Sequence, residues 1–124
     1  MERFLTDRKR ATGLGSGRAG TEKHWQMLMS SMAIVVAAPV FLILFALGLQ
    51  GTYAEVLAWF GSPFVAITIA VTMVVIVRHV MFEAIEAAED YVHGTLGQLT
   101  IVGITWAAYL LMAVGLFALA RMAL

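Results

Sequence analysis

Cysteine is absent from the chain, which excludes disulfides, thiolate chemistry, iron–sulfur ligation and cysteine-bound zinc together. Any electron-transfer centre here must be an imported cofactor held by imidazole, and only three histidines are present. Charge is scarce as well: 13% of residues are Asp, Glu, Lys or Arg, against about 25% in a soluble domain. The formal net charge is zero, so nothing in the balance points to nucleic acid. What remains is apolar. Of the 124 residues 61% are hydrophobic, with a mean hydropathy of +0.89, the composition of a single integral membrane domain whose chemistry is not that of a soluble pocket.

The few charges are unevenly placed. Arg3, Arg8, Lys9, Arg10, Arg18 and Lys23, six of the eight basic residues, precede the first apolar run, and the positive-inside rule then puts the N-terminus in the cytoplasm. Residues 1–24 read as a basic cytoplasmic arm. The apolar run that follows is too long for the h-region of a cleaved signal peptide. Gly15, Gly17 and Gly20 fit G-x-G-x-x-G, but no strand precedes them and no acidic residue follows at the right distance, so a flexible arm is the better reading than a dinucleotide site.

Three runs are long enough for transmembrane helices, which need about 20 apolar residues: 26–49, 63–86 and 96–120. The class is all-α, a bundle of three membrane helices over residues 25–124 with the C-terminus in the periplasm. His24 and Trp25 read as interfacial anchors, and Pro39 should kink the first helix. Residues 50–62, with Tyr53, Glu55 and Trp59 and no basic residue, suit a short periplasmic loop. Ser62 followed by Pro63 is a helix start, serine as N-cap and proline at the first helical position. Small residues four apart, Ala33/Ala37, Ala66/Ala70 and Gly103/Ala107, would let helices approach closely.

The chain is organised around residues 78–94, which begin inside the second span and end in acid, phenol and imidazole. An ionisable group at that depth is a functional hypothesis in itself. On a helix, His79, Glu83, Glu86 and Asp90 fall on one stripe, with His79 and Asp90 about 16 Å apart along the axis. His79 is either an axial ligand to haem iron or a buried ring satisfied by a neighbouring serine or carbonyl. Arg78 either snorkels to cytoplasmic water or pairs with a haem propionate. Tyr91, with Asp90 beside it, is either an interfacial phenol next to a capping acid or the donor to a quinone carbonyl. Ser30 and Ser31 either bond back to carbonyls one turn earlier, or one of them faces a quinone head group. Glu83, Glu86 and Glu89 are either a solvated face or, with His93, a proton path.

A histidine followed eleven residues later by Asp90-Tyr91 and then Val92-His93-Gly94 resembles the second transmembrane helix of the small D-type membrane-anchor subunit of succinate dehydrogenase. The runs from Leu5 to Gly17 and from Gly20 to Trp25 also resemble bacterial members of that family, and the likeness covers most of the chain. It implies that His79 is an axial ligand of haem b, that a second membrane-anchor subunit of the cytochrome b type donates the other imidazole, and that Tyr91 bonds ubiquinone with Asp90 in the polar network. It further implies an iron–sulfur subunit and a flavoprotein subunit docked on the cytoplasmic face of a bacterial inner membrane, with the anchor non-catalytic alone but part of an oxidoreductase complex. Glu83 departs from the pattern, which has a small residue four after the haem histidine; an acid there must point aside or pair, with Arg78 within reach. Two other readings stay open: a homo-oligomeric carrier of b-haem or quinone, and a haem-free structural subunit of another respiratory complex.

Overall fold

The computed structural model describes residues 6–13 and 19–124. Among them five helices follow in order: α1 (Asp7–Thr12), α2 (Ala19–Gly48), α3 (Tyr53–Gly61), α4 (Pro63–Tyr91) and α5 (Gly94–Ala123), with no strand. Three of these, α2, α4 and α5, are long and apolar enough to cross a membrane, so the chain is the all-α, three-span protein that its hydropathy predicts. Each is 29 or 30 residues long. At about 1.5 Å per residue that is roughly 44 Å, against about 30 Å of hydrocarbon. Each helix therefore carries polar turns beyond the apolar layer.

This extra length changes both ends of the expected spans. Helix α2 begins at Ala19 rather than at residue 26, and α4 continues past residue 86 to Tyr91. Within the expected basic arm, α1 is capped by Thr6, whose hydroxyl accepts the Lys9 N–H at 3.3 Å. The Gly15 and Gly17 part of the glycine motif lies outside the described residues. Helix α2 runs unbroken through Pro39, although the missing N–H leaves the Val35 carbonyl without its helical donor.

Residues 50–62 are the main departure from expectation, because most of the loop is helix α3. Glu55 sets its start: the carboxylate accepts the Thr52 backbone N–H at 2.8 Å and the Thr52 hydroxyl at 2.7 Å. These two bonds, the backbone one foremost, hold the Glu55 carboxyl below the usual carboxylate range. Val56, Trp59 and Phe60 then recur at helical spacing and turn inward. Trp59 Nε1 donates to the Leu44 carbonyl of α2 at 3.0 Å, and the approach needs a bare backbone at Gly48, where a Cβ would run into the indole. Phe41 stacks on Phe45 at 5.5 Å, and Phe45 meets Phe60 at 5.7 Å.

The buried core sits at this end, formed by Phe60, Val65, Ile69 and Leu119. Helix α4 lies in the middle, touching α2, α3 and α5, whereas α2 and α5 do not meet. Burial agrees: α4 buries Val65, Ala66, Ile69, Thr72, Met81 and Ala88, against Gly97, Ala108 and Leu119 in α5 and, among the described residues of α2, Gly48 alone. The three spans thus form an open row, closed at one end by α3. Ala66 is buried and Ala70 packs on the core, as the small-residue pattern predicts, but Gly103 faces open space. At the other end Gly94, with φ +71°, makes the turn into α5, a conformation that an L side chain rarely adopts.

Candidate functional site

Away from the α3 end, α2 and α4 are joined by polar side chains. Ser30 lies eleven residues after the start of α2, and His79 twelve before the end of α4, so antiparallel packing brings them to the same depth. Ser30 Oγ stands 2.8 Å from His79 Nδ1 and 2.8 Å from the Met27 carbonyl, to which it donates. A hydroxyl whose proton is given to a carbonyl still has lone pairs, so it accepts Nδ1–H from the ring. In the neutral ring this leaves the lone pair on Nε2, the arrangement in which one nitrogen is anchored and the other is the ligand. Ser31 makes the backbone bond alone, donating to Met27 at 3.0 Å.

The second ring nitrogen has its own contact. His79 Nε2 is 3.1 Å from Glu83 Oε1, one turn on, and the two side chains differ sharply in exposure: 13% for His79 and 60% for Glu83. The ring is fixed and the carboxylate is free to swing. Glu83 therefore pairs with His79 rather than with Arg78. Arg78 is exposed and lies over the Phe82 ring, 5.3 Å from its centroid, a cation–π contact worth about 0.5–1 kcal/mol at such a site. Trp25, Met29, Ser30, Ala33, Arg78 and Phe82 line an open groove between α2 and α4 beside it.

Tyr91 and Asp90 lie elsewhere. Tyr91 closes α4 and is 85% exposed; Asp90 is exposed as well. At about 100° per residue, Asp90 stands about 20° around the helix from His79 and Tyr91 about 120°, so imidazole and phenol do not share a face. Nearby, Lys23 Nζ of α2 is 3.9 Å from Glu89 Oε1, an exposed pair of the kind that contributes about 0–1 kcal/mol. Lys23, Gln26 and Glu86 border a small cleft at the same edge. The structure thus brings His79, Ser30 and Glu83 together and leaves Tyr91 and Asp90 on an open rim.

Among the described residues no three His, Cys, Asp or Glu side chains converge on a metal position. A haem asks less of this chain, a single imidazole fixed at one nitrogen with the other turned to the iron. His79 on Ser30 meets that requirement once Glu83 turns away. The residue that hydropathy and spacing did not identify as the ring's partner is Ser30, and the signal was its depth in α2.

Comparison with known proteins supplies the family. No family model and no solved structure matches the chain. It is 34% identical over 122 residues, 98% of its own length and 95% of the relative's, to the succinate dehydrogenase hydrophobic membrane anchor subunit of Paracoccus denitrificans. Likeness at that level along nearly the whole of both chains, on three membrane-length helices, shows that this chain belongs to the family of succinate dehydrogenase hydrophobic membrane anchor subunits.

Proposed function

We propose that the chain shares a haem b with a second anchor subunit, offers a ubiquinone site at its α4 rim, and holds an iron–sulfur subunit and a flavoprotein subunit on the cytoplasmic face of a bacterial inner membrane. The observation that carries the haem part is the Ser30–His79 contact of 2.8 Å, which locks an imidazole between two membrane helices by its Nδ1. Bound haem supplies a one-electron store inside the apolar layer. The chain's own residues supply the rest. His79 offers Nε2, Ser30 fixes the ring's direction, and Arg78, exposed beside the α2–α4 groove, is placed to pair with a propionate.

Tyr91 and Asp90 fit the quinone part by position. A quinone gains two protons as it is reduced, so its head must reach donors at the water edge. A phenol at the exposed end of α4 donates there, with Asp90 beside it to take up protons from water. Ser30, bonded within the chain to His79 and Met27, would reach a quinone head only by giving up one of those bonds. The orientation follows from charge: the six basic residues ahead of the first span favour a cytoplasmic N-terminus, and three crossings then leave the C-terminus outside.

The test is to purify the assembly from membranes through a tag on this chain and identify its proteins and pigment together. Flavoprotein, iron–sulfur and second anchor chains with a reducible b-type absorption are the expected result. A chain that purifies alone, or a complete assembly without haem, would overturn the reading in whole or in its haem part.

A further inference from the structure

The geometry points to Glu83 as the resident occupant of His79 Nε2 in the haem-free chain, a built-in mask that iron must displace. This rests on the haem reading for the identity of the metal, and on the structure for the mask itself. A carboxylate oxygen and a ring nitrogen 3.1 Å apart attract each other only with a proton between them, since two facing lone pairs repel. A nitrogen bonded to iron has no room for that proton. The Glu83 contact and ligation are therefore mutually exclusive, and one residue must move. Exposure decides which: the imidazole is 13% exposed and held from behind by Ser30, whereas Glu83 is 60% exposed.

The exchange balances without any redox change. With haem held, Nε2 would face the iron in place of Oε1, and the bridging proton would leave with the exposed Glu83 side chain. Position on the helix supports the assignment. Glu83 is one turn beyond His79, so a change of side-chain rotamer alone makes or breaks the contact, with no shift of α4. The mask keeps a metal-binding nitrogen from staying bare in the membrane before the cofactor arrives.

Two measurements test it. In the full chain in detergent micelles, acylation of His79 by diethylpyrocarbonate, followed residue by residue by mass spectrometry, needs a bare ring nitrogen. E83A should react several-fold faster than wild type, and E83Q, whose amide N–H can donate to the Nε2 lone pair, should stay near wild type. In the complex purified from cells starved of haem synthesis and titrated with haem b, E83A should bind roughly two- to fivefold tighter, the range set by an exposed pair. Equal acylation rates with haem bound would overturn the mask and leave the haem reading standing. Faster acylation in E83A with no haem taken up by any variant would overturn the haem reading and leave Glu83 as the ring's partner.

Discussion

Replacing Ser30 by alanine tests the polar seam between α2 and α4. The hydroxyl oxygen is 2.8 Å from both His79 Nδ1 and the Met27 carbonyl. Deleting it removes the bond to the ring as well as the local one to Met27, and leaves a ring nitrogen in a side chain only 13% exposed without its acceptor. The lost bond to the ring and the stranded donor together cost about 2 kcal/mol, or roughly thirtyfold in the population of correctly held ring. That lies inside the ~10–100-fold loss of affinity that removing the partner of a metal-binding histidine produces. Ser31→Ala is the matched control, because Ser31 donates to the same carbonyl at 3.0 Å but makes no hydrogen bond to His79. The assay is the haem-to-flavin ratio of the complex after exposure to an excess of a haem-scavenging protein. Ser30→Ala should lose haem many times faster than wild type and Ser31→Ala at the wild-type rate. Equal behaviour of the two would show that the serine bonds only its own backbone.

Three further outcomes are expected. Tyr91→Phe should slow succinate-linked reduction of quinone while sparing reduction of a soluble artificial acceptor; equal loss with both acceptors would mean misfolding. Trp59→Phe removes the bond to Leu44, worth about 1 kcal/mol, and should lower the thermal midpoint in micelles by a few degrees, where an unchanged midpoint would count against the docking of α3 on α2. Glu55 has a folded-state pKa depressed by its bonds to Thr52, so its contribution to α3 is present above the usual carboxylate value of 4.5 and is lost as pH falls through the lower folded-state value. Hydrogen exchange of the 53–61 amides should therefore speed up below that value in wild type and show a flatter acid response in Glu55→Gln; the same acid sensitivity in both would assign it elsewhere.

The three spans were legible because a bilayer demands long apolar runs, and length alone identifies them. Their ends were less so, since helix continues into polar sequence wherever backbone bonds are satisfied, as α4 does to Tyr91. Helix α3 was missed because Gln50, Gly51 and Ser62 read as loop and the segment is short. The signal present was Thr52 with Glu55 three residues on, a helix start, ahead of Val56, Trp59 and Phe60. At the site, the turn from His79 to Glu83 was visible as spacing, but whether Glu83 would meet His79 or Arg78 depended on side-chain rotamers that no periodicity encodes. Ser30 and His79 are 49 residues apart, and such a pair becomes visible only when antiparallel helices are matched for depth.

The most direct measurement is the reduced-minus-oxidised visible spectrum of the complex carrying His79→Ala, with assembly checked by the recovery of all co-purifying chains. Loss of most of the b-type absorption from an assembled complex is the predicted result. A spectrum of wild-type intensity would mean that the iron takes its ligands from other residues and that the ring between Ser30 and Glu83 serves the packing of α2 on α4 alone.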